Sequence, residues 1–203
     1  IAVTGTNGKS SVADFFYQIL SLNKIPVASI GTLGIKKKGK FKKTKLTSLD
    51  IISLHEELTV LKKQKIDNVI IEASSHGLSQ GRLDGLNFKA GIFTNFSQDH
   101  LDYHKTMKNY FNSKSILFSS LLKKNRYMIT DSNINEFKKL KKIAKKRKLE
   151  IITVNNSSIF ANQEEFLLLG DFQKTNLSMS ILAAGICGIN KEKIKSSIKK
   201  IKS

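Results

Sequence analysis

The sequence predicts an α/β fold, a mostly parallel sheet with helices on both faces. Short apolar runs bounded by polar turns alternate with helical periods along most of the 203 residues, as in sheets whose strands are joined by helical crossovers. The first run passes through a glycine-rich loop directly into a helical pattern. With 40% hydrophobic and 25% charged residues the composition is that of a globular chain, and the length suits one ordinary domain.

The predicted strands are short apolar runs at 1–4, 27–30, 68–71, 90–93, 127–129 and 151–154. Helical spacing of apolar residues begins after the glycine loop and recurs at 51–61, 107–122, 134–148, 176–189 and 191–201. The stretch from Gly31 to Lys43 is predicted as a basic hairpin, residues 155–165 as a loop and residues 167–169 as a late strand. Because the chain opens within a strand that normally lies inside such a sheet, we expect it to be part of a longer protein.

The formal net charge of +19 admits two interpretations: binding to nucleic acid, or drift of the amino-acid composition towards lysine. Only Arg82, Arg126 and Arg147 are arginines, and the other 32 of the 35 basic residues are lysines. Specific nucleic-acid readers favour arginine for bidentate base contacts, so we favour drift and expect no specific nucleic-acid partner. The lysine runs at 36–45 and 138–148 are expected to be solvated surfaces that can still attract polyanionic substrates.

Cysteine content points to a reducing compartment, and hydropathy argues against a membrane span. The single Cys187 excludes an internal disulfide and a multi-cysteine metal site. No run approaches the roughly 18 to 20 apolar residues of a membrane span, so we expect no membrane association and a cytoplasmic location.

The strongest local signal is the run Gly5-Thr6-Asn7-Gly8-Lys9-Ser10 between the first strand and the first helix. Backbone amides at a helix N-terminus, together with a lysine charge, cradle phosphate oxygens, and Ser10 would then hold magnesium. The loop is a variant, because Val3 stands where the general phosphate-loop pattern has its first glycine. The alternative is a glycine turn that only joins strand to helix.

Polar residues follow two other predicted strands at their carboxyl ends. Glu72 begins one such cluster, and the other contains His100. In open parallel sheets this edge forms the ligand crevice, so Lys9, Glu72 and His100 are predicted to converge on one nucleotide. His100, Asp102 and His104 leave a zinc cluster open as an alternative.

Lys114 interrupts an apolar helical stripe formed by Met107, Tyr110, Phe111, Leu117, Phe118 and Leu121. Burial depresses the pKa of a lysine, and a neutral amine can react with carbon dioxide to give a carbamate that can approach magnesium. The alternative is a lysine that extends along the apolar surface to reach solvent.

Three segments together resemble the central domain of the Mur ligases: Thr4 to Ser10, Glu72 to Leu78, and Thr94 to His104. The second segment, with Gln80-Gly81-Arg82 after it, is similar to the branch that adds the third residue of the peptidoglycan stem peptide. The resemblance is dense to about residue 122, thins through 123–165 and returns at 170–189. It implies a P-loop nucleotide-hydrolase-like central domain over residues 1–203, with the N-terminal UDP-binding and C-terminal amino-acid-binding domains outside the chain.

The resemblance also implies roles for individual residues. ATP would be held by Gly5, Thr6, Asn7, Gly8, Lys9, Ser10, Ser11 and Asn176. Magnesium would be bound by Ser10, Glu72, His100 and a carbamylated Lys114, and the acceptor by Thr47, Ser48, Ser74, Gln80 and Arg82. Lys9, His100 and Lys114 are the implied catalytic residues. Leu49 and Gln173 depart from the family's proline and asparagine, which puts the acceptor loop and the base pocket in question.

The implied activity is an ATP-dependent, ADP-forming amide ligation. Its substrates would be a UDP-N-acetylmuramoyl dipeptide and an amino acid, either diaminopimelate or lysine. Two alternatives stay open: a sister ligase, whether another Mur step or a folylpolyglutamate synthetase, and a nucleotide-binding module without ligase activity.

Overall fold

Eight strands form a single sheet in the computed structural model, which describes residues 1–44, 48–154 and 170–201. In chain order the strands are β1 (Ala2–Thr4), β2 (Val27–Gly31), β3 (Gly34–Lys37), β4 (Lys40–Lys42), β5 (Asn68–Glu72), β6 (Ala90–Phe93), β7 (Tyr127–Asp131) and β8 (Glu150–Val154). Their order across the sheet is β4-β3-β2-β5-β1-β6-β7-β8. β1 therefore lies between β5 and β6, at the centre of the sheet.

The sheet is parallel from β2 to β8 and antiparallel only at one edge, where β3 and β4 are added to β2. This confirms the predicted fold class. The basic stretch predicted as a hairpin does fold back on itself, and it also pairs with β2 and so lengthens the sheet. The predicted loop at 155–165 and late strand at 167–169 lie outside the described residues.

The described residues form eight α-helices around the sheet: α1 (Lys9–Leu22), α2 (Ile51–Lys63), α3 (Ser75–Ser79), α4 (Leu101–His104), α5 (Met107–Ile116), α6 (Phe137–Arg147), α7 (Asp171–Ile186) and α8 (Lys191–Ile198). α5 continues into a π-helical turn at Leu117–Leu121. The prediction for α7 was wrong at its start, because the helix begins five residues before Asn176. α3 and α4 were not predicted, since elements of five and four residues are too short to show a helical period. No helix among the described residues is long and apolar enough to cross a membrane.

Two apolar cores lie on opposite faces of the sheet. Successive residues of a strand point to opposite faces, so Ile70 of β5 packs against α1 and α7 while Ile71 packs into the other core. The second core is closed by α2, α5 with its π-helical turn, and α6. Because all six central strands run the same way, their carboxyl ends meet at one edge, and the loops that carry the site residues leave from that edge.

Candidate active site

The glycine loop lies between β1 and α1, and its backbone requires glycine at two positions. Gly5 has φ of 143°, and a Cβ there would lie 1.9 Å from Thr94 Oγ1. Gly8 has φ of 82° at the N-terminus of α1, and a Cβ there would lie 2.5 Å from Asn176 Oδ1. The loop is thus a close-fitting backbone turn that ends on a helix N-terminus, the arrangement that binds phosphate.

Two lysines share one backbone oxygen of this loop. Lys9 Nζ donates to Gly5 O at 3.0 Å and to Thr6 O at 2.8 Å. Lys114 Nζ donates to the same Gly5 O at 2.7 Å and lies 4.3 Å from the centre of the Tyr110 ring. The helix that carries Lys114 is capped by Thr106, whose hydroxyl accepts from Asn109 N. The loop therefore brings two lysine amino groups to one point.

Burial changes the acidity of both lysines. Lys114 is 1% exposed. Desolvation, followed by repulsion from Lys9, lowers its pKa from 10.5 to about 7, against an opposing attraction from Asp99. Desolvation also lowers the pKa of Lys9, while Glu72 and Asp99 oppose the shift. A large fraction of Lys114 is therefore an uncharged amine near neutral pH.

A carboxylate and two hydroxyls form the second part of the site. Glu72, at the end of β5, accepts from Ser10 Oγ at 2.8 Å and from Thr32 Oγ1 at 3.0 Å. Its other oxygen accepts from Thr32 N at 3.1 Å. Gly31 permits this approach, since a Cβ there would lie 2.0 Å from Glu72 Oε1. Carboxylate and hydroxyl oxygens are the ligands that Mg²⁺ prefers, so this donor set fits magnesium.

His100 is the residue that precedes α4. Its backbone is left-handed, with φ of 51°, and its side chain is exposed. The ring is 6.0 Å from that of Tyr110, on which Lys114 also lies, and Nε2 is 3.4 Å from Asp99 Oδ2. His100 and Lys114 thus both lie near the Tyr110 ring, and His100 makes no direct hydrogen bond to Lys114 or to Glu72 in the described structure.

Three histidine rings cluster at this corner of the site. The His76 ring lies 5.0 Å from that of His100 and 5.4 Å from that of His104. Burial, and then the neighbouring His100, lowers the pKa of His76, and burial followed by His76 and Lys114 lowers that of His104. In the described part of the chain no three His, Cys, Asp or Glu residues are placed to hold one metal ion, which leaves the zinc alternative without support.

The residues implied for the acceptor form one hydrogen-bonded network. Ser48 Oγ donates to Glu72 O at 3.0 Å, lies 3.0 Å from Ser74 Oγ and accepts from Ser74 N. Arg82 donates to Ser48 O at 2.8 Å and to Gln80 Oε1 at 2.5 Å. Thr47 lies outside the described residues. The other four implied residues are brought together beside Glu72.

Asn176 closes the site on the α7 side. It is buried, and its Nδ2 donates to Gln173 Oε1 at 3.0 Å. Gln173 Nε2 in turn donates to Ser11 Oγ at 3.4 Å. Gln173, which departs from the family pattern, therefore still bonds to both predicted residues and links them.

Sequence reasoning missed Thr32 and Tyr103. Thr32 contacts Glu72 with both its amide and its hydroxyl, and Tyr103 contacts Gln80 and Ser79. Thr32 could have been found, because it directly follows a strand that ends at the same sheet edge. Tyr103 carried no such signal, since the short helix that presents it has no detectable period.

The fold and these groups define a nucleotide-binding domain of the P-loop class. The chain belongs to the Mur ligase family, because the model of the Mur ligase middle domain matches residues 3–166.

Curated relatives agree with this family. A UDP-N-acetylmuramoyl-L-alanyl-D-glutamate–2,6-diaminopimelate ligase of Rickettsia bellii is 37% identical over 228 aligned residues, which cover 100% of this chain and 48% of the relative. The ligase of the same name from Leptospira interrogans is 34% identical, over 99% of this chain and 45% of its own length. The chain thus spans about half the length of these relatives.

Solved structures give the same fold. One described as a UDP-N-acetylmuramoyl-L-alanyl-D-glutamate–2,6-diaminopimelate ligase superposes with a TM-score of 0.86 at 28% identity, over 100% of this chain and 46% of that one. E. coli FolC in complex with DHPP and ADP has a TM-score of 0.71 at 16% identity, over 98% of this chain and 56% of that one. At that identity the second likeness shows the fold alone.

Proposed function

We propose that the chain is the ATP-binding middle domain of an ADP-forming amide ligase that adds the third amino acid to a UDP-N-acetylmuramoyl dipeptide in peptidoglycan synthesis. The observation that carries the proposal is the double use of Glu72. Its carboxylate bonds to Ser10 in the phosphate loop, while its backbone oxygen bonds to Ser48 in the acceptor network. One residue thus joins the nucleotide site to the acceptor site, as phosphoryl transfer from one to the other requires.

The reaction proceeds in two displacements. An oxygen of the acceptor's glutamate carboxylate attacks the γ-phosphorus of ATP, the bond to ADP breaks, and an acyl phosphate forms. The amine of the incoming amino acid then attacks the acyl carbon, phosphate leaves with the bonding electrons, and the amine loses a proton. No residue of the chain has to act as a covalent nucleophile in either step.

The chain's own groups position the reactants and neutralise charge. Lys9 would leave Gly5 O and Thr6 O to contact the β- and γ-phosphates, helped by the backbone amides of the glycine loop. Arg82 and Gln80 would orient the acceptor carboxylate, and Asn176 and Ser11 would contact the nucleotide. Ser10, Glu72, His100 and a carbamylated Lys114 would hold Mg²⁺, which when bound shields the negative charge of the phosphates.

Carbamylation of Lys114 is part of the proposal. The neutral amine attacks the carbon of carbon dioxide, a nitrogen–carbon bond forms, and the nitrogen loses a proton, which leaves a carbamate anion. The lowered pKa of Lys114 supplies the neutral amine. The product turns a buried cation next to Lys9 into an anion, so the electrostatic repulsion between the two lysines becomes an attraction.

Further parts of the proposal rest on the relatives. The chain would work with an N-terminal domain for the uridine end and a C-terminal domain for the amino acid. The names of the relatives favour 2,6-diaminopimelate as that amino acid over lysine. The reaction would take place in the cytoplasm, where its nucleotide substrates are made.

Calorimetry with a non-hydrolysable ATP analogue and magnesium tests the nucleotide site in the isolated chain. We expect binding in the wild type and loss of at least tenfold in affinity for Lys9→Ala, while Lys62→Ala, an exposed lysine at the end of α2, binds normally. No binding by the folded wild type at millimolar nucleotide refutes the site assignment.

The activity itself is tested in the full-length protein by ADP release. Release that needs both the UDP-muramoyl dipeptide and the amino acid supports the ligase. Nucleotide binding without such turnover favours the module without ligase activity.

A further inference from the structure

Tyr103 lies between the nucleotide and acceptor sides of the site. It belongs to α4, a four-residue helix with left-handed backbone at both flanks, φ of 51° at His100 and of 66° at Lys105. Its ring stacks on that of His76 at 4.1 Å, and 42% of the residue is exposed. Residues other than glycine that hold such angles cost energy and are concentrated at functional sites. The Tyr103 ring therefore lies against His76 while part of the residue remains exposed.

The direction of the hydrogen bonds at Tyr103 follows from counting protons. A serine hydroxyl has one proton, and that of Ser79 is donated to His76 O at 3.0 Å. With the Ser79 proton on His76 O, tyrosine is the donor in the contact of 3.3 Å between Tyr103 OH and Ser79 Oγ. The tyrosine oxygen, in turn, accepts from Gln80 Nε2 at 3.3 Å.

This arrangement determines which way the Gln80 amide faces. With Nε2 directed to Tyr103, Oε1 faces Arg82 and accepts from its guanidinium. The guanidinium donates a second hydrogen bond to Ser48 O, which leaves further N–H groups of its five for a ligand. If the Gln80 amide turned over, its NH₂ group would face the guanidinium, donor against donor, and the pair would separate.

We infer that Tyr103 is a positioning residue of the acceptor site, which holds the Gln80 amide in the orientation that pairs with Arg82. The inference rests on the proposed function. It adds Tyr103 to the acceptor site, a residue that the proposed function does not itself require. The ligand is the anionic end of the acceptor. A carboxylate only accepts hydrogen bonds, so it needs the N–H group that Gln80 does not give to Tyr103 and the N–H groups that Arg82 leaves unused.

Steady-state kinetics of Tyr103→Phe in the full-length protein tests the inference, because phenylalanine keeps the ring on His76 and loses only the hydroxyl. We expect the KM for the UDP-muramoyl dipeptide to rise about five- to tenfold, the effect of one lost hydrogen bond, with the KM for ATP unchanged. Tyr127→Phe, the same change at the start of β7 and the amino end of the sheet, is the matched control.

A double-mutant cycle with Gln80→Ala separates positioning from simple contact. If Tyr103 acts through Gln80, the phenylalanine change adds no further rise in KM in the Gln80→Ala background. Additive effects, an unchanged KM in Tyr103→Phe, or an equal rise in the KM for ATP each overturn the inference. A wild-type protein with no dipeptide-dependent turnover overturns the proposed function and the inference with it, whereas an active wild type with an indifferent Tyr103→Phe overturns the inference alone.

Discussion

Replacing Lys114 with methionine removes a buried charge while it retains an unbranched side chain. Methionine adapts to the space of a lysine stem and has no polar group to satisfy. Gly5 O loses the hydrogen bond from Lys114 but keeps the one from Lys9, so no buried acceptor is left without a partner. The variant therefore isolates the energetic cost of burying the Lys114 ammonium.

The size of this cost depends on pH. Unfolded Lys114 keeps its proton up to its ordinary pKa of 10.5, whereas folded Lys114 releases it near 7. Between these values the unfolded state binds more protons, so the stability of the wild type rises with pH. At about 1.4 kcal/mol per pKa unit, burying the Lys114 ammonium lowers the free energy of unfolding by about 5 kcal/mol at pH 6 and by about 1.5 kcal/mol at pH 9.5.

Urea unfolding of the wild type and Lys114→Met at pH 6 and pH 9.5 measures the effect. Buffers free of carbon dioxide keep Lys114 an amine. We expect the variant's advantage in unfolding free energy to shrink by about 3 kcal/mol between the two pH values. Lys62→Met, the same substitution at an exposed site, is the control. An advantage for Lys114→Met that is the same at both pH values would show that the amine is not held in a desolvating site.

Three further predictions concern the site and the surface. In the full-length protein, Lys114→Ala should reduce turnover at least a hundredfold. A short carboxylic acid in solution should restore part of that turnover. A Lys114→Arg variant as active as the wild type would contradict the carbamate. Gly31→Ala should displace the Glu72 carboxylate, which a Cβ would approach to 2.0 Å, and so reduce magnesium-dependent nucleotide affinity about tenfold by calorimetry. Gly185→Ala, with nothing near its Cβ, should bind as the wild type does, and equal affinities for both variants would count against the Glu72 site. Duplex DNA titrated at two salt concentrations should bind weakly and without sequence preference. Its affinity should fall as salt rises, because lysine charge acts through counterion release. Tight, selective binding at physiological salt would favour the nucleic-acid interpretation.

Local patterns predicted the parts of the molecule whose causes are local. Strand 90–93 was predicted with the bounds that the structure has, because a short apolar run between polar turns is what a strand buried on both faces requires. The glycine loop was recognisable because it lies within six consecutive residues, and the family inferred from it together with two later segments is confirmed. Helix ends were less predictable. α7 begins at Asp171, before its apolar pattern starts, and α5 changes to a π-helical turn within one continuous stripe.

Contacts within the site depended on the order of the strands. Thr32 reaches Glu72 because β2 and β5 are neighbours in the sheet, although 40 residues separate them. Its sequence position, just after a predicted strand, placed Thr32 at the sheet edge, and the strand order decided which carboxylate it meets there.

Lys114 shows the division between sequence and tertiary structure in a single residue. Its place in an apolar stripe predicted an unusual, buried lysine, because helical spacing alone determines which residues share a face. Its partner, Gly5 O, lies 109 residues away. The contact depends on tertiary packing, because β1 lies between β5 and β6 and the glycine loop that follows it meets Lys114 of α5. The same holds for Tyr103, on a short helix that no period reveals, and Gln80, directly after another: the sequence determines the chemistry each group carries, and the packing of the chain decides which groups meet.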